Sequence, residues 1–401
     1  MQKVFRTELV QLPFKHPIGH FCHLSKNLFN ATNFTIRREL EETRKIPNVD
    51  NLNVMMKEKE PPYNDYYTIP PNTSQMIIKY LSKSWKAFFK SLRSWKAHPE
   101  KFKAMPRPPN YKEKNGEHML VFTNAQCKIK KGKVKFPKMV NLEVETRLKD
   151  DTDLREVRII PKGCGYTVEI VYQIEVPDLK PKKNRIAGID IGLENLVTFG
   201  DNIGSDPIIV KGGALKSINQ FYNKERARLR SIYDRQKIKT GYKLQKLTQK
   251  RNNKIKDYMH KVSNAITQIA QERDIDTMVI GHNSGWKQDI DLGKRTNQNF
   301  VSIPMNWLID QIAYKNAENG IETIVHEESH TSKCSFLDQE PIEHRDHYIG
   351  KRVKRGLFRA SDGREINADV NGFYNIIRKA VPGAFANGIE GLRMTPRRLS
   401  V

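Results

Sequence analysis

Along residues 73–92, apolar side chains return at steps of three and four: Ile77, Leu81, Trp85, Phe88 and Leu92. That spacing draws one apolar stripe down an α-helix, and Thr73 or Ser74 offers the N-cap that opens it. Trp85, Phe88 and Trp95 are assigned to packing. Upstream, a short strand-like stretch leads into SKNLFNATNFTIRREL, which reads as helix. Residues 45–72 carry no period and read as a loop or linker, and AMPRPPNY at 104–111 breaks the helical pattern. From 117 to 176 the period drops to two. HMLVFTN, VNLEVETRL, EVRIIP and YTVEIVYQIEV alternate apolar with polar residues, with turn residues between them. They predict a small antiparallel sheet or barrel, followed by the basic linker PDLKPKKN at 177–184.

A second organisation starts at Arg185. RIAGIDIGLENLVTFG reads as a buried strand, a glycine turn and a second strand, with a third at Pro207–Val210. A helical segment follows, and its second half puts Ile255, Tyr258, Met259, Val262, Ile266 and Ile269 on one face. TMVIG (277–281) and IETIVHE (321–327) read as strands. Ser302-Ile303-Pro304 opens a helix, with Pro in the first turn and Gly320 as a stop. INADVNGFYNIIRKA (366–380) is a closing helix, after a loop-rich charged stretch. Strands interleaved with helices predict an α/β half.

Composition adds mainly charge. The 401 residues suit two to four domains with a full core, and 70 Lys and Arg against 45 Asp and Glu leave a net charge of +25. Such an excess points to a polyanionic partner. It is concentrated between Lys216 and Lys261, where 15 Lys and Arg face only Glu225, Asp234 and Asp257. A run of that kind is usually a solvated face, but here it reads as a nucleic-acid backbone contact with strong salt dependence. Cys22, Cys127, Cys164 and Cys334 form no C-x-x-C pair, so neither a disulfide framework nor a four-cysteine zinc site is expected. With no apolar run of 18 residues and no leader pattern, the expectation is a cytoplasmic, nucleoid-associated protein without a membrane partner.

Three acidic positions carry candidate chemistry. Asp190 sits inside the apolar strand GIDIG, where a carboxylate is costly unless a cation or a turn cap pairs with it. Asp369 opens NADVNGFYNII, where N-capping alone would explain it, and Asn371 and Asn375 follow one turn apart. Glu327 and Glu328 end a strand, a place where surface acids usually mean nothing. The order is the informative part: an acid on a first strand, one at the end of a later strand, one on a final helix. That is the layout of an RNase H-type nuclease, whose carboxylates hold two Mg²⁺ ions.

AGIDIGLENLVTF, GGALKSINQFYNK, HTSKCS and INADVNGFYNI together resemble the RuvC-type nuclease half of TnpB proteins, transposon-encoded RNA-guided endonucleases related to compact type V CRISPR effectors. The resemblance covers 185–380, and more loosely LSKNLFNATNF and the WKAFF to PRPP stretch. It implies an α/β RNase H-like (RuvC) domain over 183–401, with a basic helical insertion at 214–265 and a degenerate, zinc-less ribbon at 330–366. It also implies a wedge-like β-barrel domain from 1–35 and 105–182, with a helical recognition insertion at 36–104. The implied function is Mg²⁺-dependent hydrolysis of double-stranded target DNA directed by a guide RNA, one protomer per RNA, with Mn²⁺ able to substitute. Asp190, Glu328 and Asp369 would be both catalytic acids and metal ligands. Arg226, Arg230, Arg235, Lys351, Arg352, Lys354 and Arg355 would contact nucleic acid.

Two departures from the family pattern stand out. Gly281 ends the strand where the second catalytic Glu is expected, so that role passes to Glu328, three residues before Thr331, with Glu327 as the alternative. Of the ribbon's four cysteines only Cys334 remains, and His344 and His347 make poor replacement ligands at irregular spacing, so zinc is not expected. The competing functions are a nuclease-deficient RNA-guided DNA-binding repressor, motivated by Gly281, and a strand-transferring transposase, which the same fold supports.

Overall fold

The computed structural model describes residues 2–58, 65–283 and 303–401. They form two compact units, Lys3–Glu175 and Val176–Val401, the latter joined by Gln2. No helix among the described residues is long and apolar enough to cross a membrane.

In the first unit, β1 (Gln2–Pro13), α1 (Ile18–Thr43), α2 (Val49–Lys57) and α3 (Pro71–Ala97) precede six strands: β2 (Leu120–Thr123), β3 (Lys128–Lys130), β4 (Lys133–Lys135), β5 (Glu143–Glu145), β6 (Asp153–Lys162) and β7 (Gly165–Val176). The strands make two hydrogen-bonded sheets, β1-β7-β6-β2 and β3-β4-β5. The apolar stripe of α3 is buried as its spacing requires: Ile77, Leu81 and Trp85 are at most 2% exposed and pack with Leu28 and Ile36 of α1 and Phe122 of β2. The Trp85 indole N–H donates to Asn33 Oδ1 at 2.9 Å, so burying the ring strands no polar group.

Two local expectations fail here for identifiable reasons. The stretch 45–72 holds α2, whose Leu52 and Met56 lie one turn apart and fully buried, and Asn48 caps it by accepting the Asn51 N–H at 2.8 Å. Two apolar contacts in nine residues are too few to raise a period. Helix α3 begins at Pro71, before Thr73 and Ser74, because Pro at the first position is preset for the helix. The Thr73 and Ser74 N–H groups already bond to the Pro70 carbonyl.

The second unit is built on one six-stranded sheet. It uses β8 (Ile186–Asp190), β9 (Asn195–Asp201), β10 (Ile208–Lys211), β11 (Thr277–Gly281), β12 (Glu322–His326) and β16 (Arg397–Leu399), in the order β12-β11-β8-β9-β10-β16. β8 pairs antiparallel with β9 and parallel with β11, which pairs parallel with β12. Successive residues of the central strands feed opposite faces, as a pleated strand demands. Ala187, Ile189, Met278 and Ile280 join one core with Ile255, Met259, Val262 and Ile266 of α5 (Tyr242–Glu272) and Leu308 and Ile312 of α6 (Met305–Ala317). Ile186 and Val279 join the other core with Phe373, Ile376 and Ile377 of α7 (Ala368–Ala380). Helices thus cover both faces, the α/β arrangement expected.

The basic segment forms α4 (Gly213–Arg235) and α5, joined by a short turn. Pro304 precedes α6 instead of sitting in its first turn, and Ser302 lies outside the described residues. The stretch 330–366 is more ordered than its charge suggests. It carries β13 (Lys351–Lys354), β14 (Leu357–Arg359) and β15 (Glu365–Asn367), a three-stranded antiparallel sheet.

Candidate active site

Asp190 is the last residue of β8, level with Thr198 of β9. Its carboxylate rests against α7 at Gly372, where a Cβ would stand 2.7 Å from Asp190 Oδ2. Asp369 lies in the first turn of α7, one turn before Gly372. It is not the N-cap: Asn367 takes that role, its Oδ1 accepting the Asp369 N–H at 3.0 Å and the Val370 N–H at 3.3 Å. The Asp369 carboxylate is thereby released from capping, and its Oδ2 accepts from the Asn195 side-chain amide. Lys211 donates to Asn195 Oδ1 at 2.7 Å and fixes that amide in turn.

Glu328 follows β12, and its backbone is held on both sides. Its N–H donates to Asn283 Oδ1 at 3.0 Å, and its carbonyl accepts the Thr331 hydroxyl at 2.8 Å. The side chain fills the space that Gly281 leaves open on the neighbouring strand, because a Cβ at 281 would stand 2.5 Å from Glu328 Oε2. The missing side chain on β11 and the acid after β12 are therefore one arrangement. Glu327 goes elsewhere, to the Lys379 ammonium at 2.6 Å and to Ser329. Of the two glutamates, Glu328 is the one that meets the β8–β11 edge.

The amides of Asn371 and Asn375 explain why two distant sequence motifs occur together. Both residues are fully buried. Asn371 accepts the Phe336 N–H at 2.9 Å and donates to the Cys334 carbonyl at 2.9 Å. Asn375 donates to the carbonyls of Thr331 and Cys334 at 2.9 and 2.8 Å. Helix α7 thus clamps the turn 331–334 through its backbone, which fixes the chain that carries Glu328 relative to the helix that carries Asp369. The one-turn spacing of these asparagines is visible in the sequence, but the carbonyls they meet are not. Asn195 carries still less signal there, only its place at the start of a strand beside an acid.

The electrostatics are those of crowded acids. Burial, then the charges of Glu328 and Asp369, push Asp190 up to about 8, against the pull of Arg352. Part of the residue still reaches solvent, while its carboxyl sits deep among these groups. Burial, then Glu327, push Glu328 up to about 7, with Lys379 opposing. The donors are all hard oxygens, which suit Mg²⁺ or Mn²⁺, and a divalent cation would relieve the repulsion. Among the described residues, no three His, Cys, Asp or Glu side chains already stand in an arrangement that would hold a metal ion.

The basic candidates are spread over α4 and the β13 hairpin, with Arg352 the one that acts on Asp190. Arg226 is exposed on α4, while Arg230 donates to the Lys239 carbonyl at 2.6 Å and Arg235 to Ser231. Lys351, Arg352 and Lys354 are exposed along β13, and Arg355 pairs with Glu194 at 3.1 Å. In the ribbon region the Cys334 thiol is buried, pushed up by that burial, and donates to the Pro341 carbonyl at 3.4 Å. The buried Glu340 carboxylate ties the segment together, accepting the N–H groups of Ser335 at 2.7 Å and Ile349 at 2.9 Å.

Residues 169–287 match the family model described as a probable transposase (OrfB_IS605). Residues 306–376 match the model described as the Cas12f1-like TNB domain. The TnpB-like protein ORF457 of Acidianus two-tailed virus is 22% identical over 413 residues, spanning 93% of this chain and 85% of that protein. Among solved structures, the Cas12f1–sgRNA–target DNA complex aligns over 93% of this chain and 98% of its own protein chain. Its TM-score is 0.50 at 12% identity, a likeness of fold.

Proposed function

We propose that this chain, which belongs to the TnpB family, is an RNA-guided DNA endonuclease with Asp190, Glu328 and Asp369 as its catalytic acids. The observation that carries the reading is the convergence of three acids from three separate elements, with Asp190 pushed well above the ordinary carboxylate range by burial and by the charges of the other two, and Glu328 raised by burial and by Glu327. Perturbed acids clustered at strand ends are a mark of functional sites. The filling of the Gly281 space by Glu328 weighs against the repressor reading, which rested on that glycine.

Asp190, Glu328 and Asp369 are the residues that would hold Mg²⁺. The ion supplies an activated water and stabilises the leaving 3′ oxygen when bound. The chain itself supplies position. Asn195 orients Asp369, the Asn371–Asn375 clamp sets the Glu328 segment, and Arg352 offers a cation to backbone phosphate within electrostatic reach of Asp190. No zinc is assigned to 330–366, since the buried Cys334 thiol is committed to a carbonyl oxygen.

The partners are a guide RNA and double-stranded target DNA, with one protomer per RNA, base pairing reading the sequence and basic surfaces reading the backbone. In this reading 1–35 and 105–182 act as the wedge, 36–104 as the recognition insertion, and 183–401 as the nuclease. The complex purified with its RNA tests the proposal. Asp190→Ala should keep target binding and lose cutting, and equal cutting by that variant would sink the mechanism.

A further inference from the structure

Within the unit Lys3–Glu175, the proline-rich run after α3 is stitched to α1. Arg37 and the Asn33 amide donate to the Pro109 carbonyl at 2.7 and 3.0 Å, and Asn30 makes two bonds to the Lys112 backbone, at 2.8 and 3.0 Å. This fixed run, α1 and α3 enclose an open-mouthed cavity of about 440 Å³. Its walls include Phe29 on α1, Phe88 on α3 and the ring of His118. Phe29 and His118 lie with ring centroids 4.6 Å apart, tilted by 52°. Lys112 Nζ stands 5.1 Å over the Phe29 ring, and Arg107, Asn110, Ser84 and Ser91 add further polar groups to the lining. No carboxylate lines the cavity. Among the described residues, the side chains of Arg107, Asn110 and Lys112 make no ion pair or hydrogen bond to protein.

We propose that this cavity receives one unpaired nucleobase together with its phosphate. Phe88, only partly buried, and the His118 ring offer stacking to any base, Arg107 and Lys112, neither held in an ion pair, suit the phosphate, and the Asn110 amide can donate to and accept from a base edge. The absence of acids removes the repulsion a polyanion would otherwise meet. Burial and Lys112 hold His118 down at about 4, so its ring stays neutral at pH 7 and stacks without the desolvation cost of a charge. The volume suits one nucleotide and not a duplex. The inference rests on the chain binding nucleic acid and is independent of whether it cuts.

Single-stranded decamers carrying one 5-bromouracil, in RNA and DNA versions, are irradiated with the full chain and the adducts mapped by mass spectrometry. An adduct on Phe29, Phe88 or His118 is expected, and the arm that gives it identifies the strand. Phe88→Ala should weaken decamer binding about fivefold or more, from the loss of one stacked base. The exposed Arg107→Ala, which cannot disturb a core, should flatten the salt dependence. Adducts confined to residues 213–272, or wild-type binding by both variants, would overturn the proposal. Guide-directed cutting is read separately: cutting without an adduct here refutes only the cavity, and an adduct without cutting refutes only the nuclease.

Discussion

Gly281→Ala is the smallest change that addresses the acid on the neighbouring strand. The new Cβ would stand 2.5 Å from Glu328 Oε2 and 2.5 Å from Ile376 Cδ1. Ordinary contact needs nearly 1 Å more, so the carboxylate and the isoleucine tip must both give way. Overpacking of this kind costs about 1–3 kcal/mol of stability, which leaves a domain of this size folded. A displacement of roughly 1 Å at a reacting group costs on the order of 100-fold in rate. The assay is single-turnover cleavage of guide-matched DNA, with target binding and a thermal melt measured on the same preparation. Gly281→Ala should bind its target, melt slightly lower and cut about 100-fold more slowly, as should Glu328→Gln without the stability loss. Glu327→Gln should cut normally, because Glu327 is engaged by Lys379 and Ser329. Full-rate cutting by a folded Gly281→Ala protein would show that the Glu328 carboxylate is not where the chemistry needs it.

Three further outcomes follow from the same geometry. Glu340→Ala leaves the buried Ser335 N–H and the more exposed Ile349 N–H without their charged acceptor and should cost about 2 kcal/mol in urea denaturation, with Glu340→Gln losing less; unchanged stability would contradict its role as the tie of that segment. His118, held at about 4 when folded against an ordinary 6.5, binds its proton more readily in the unfolded chain. Stability therefore falls as pH drops from 6.5 toward 4, by up to about 3 kcal/mol, and His118→Phe should remove that part of the acid sensitivity. Arg226→Ala, on the exposed face of α4, should reduce the slope of log affinity against log salt by about 1, measured on guide RNA; an unchanged slope would take that arginine out of the interface.

What the chain made legible were the elements whose period is long and whose burial is one-sided. The stripe from Ile77 to Trp85 and the face from Ile255 to Ile266 both proved to be core. Helix α2 escaped because its evidence amounts to Leu52, Met56 and an asparagine cap. β13 escaped because all four of its residues are exposed, so no alternation marks it. In the site, Asp190 and Asp369 could be singled out as acids in costly or motif-bound positions. The pairing of Gly281 with Glu328 could be suspected from order alone, but the contact depends on parallel register between β11 and β12, which sets Gly281 opposite His326. The buried asparagine clamp was hidden because an amide's value lies in which carbonyls it meets. Phe88 was assigned to packing; it does flank the core, and it also lines the cavity beside Phe29.

The central claim is that RNA directs this acid site to DNA. The most direct measurement exchanges the guide segment of the RNA that purifies with the protein and maps the cut on a plasmid carrying both targets, with Mg²⁺ present. The cut should move to the new match, and Asp190→Ala should bind there without cutting. Cutting that ignores the RNA sequence, or that persists without RNA, would contradict the account.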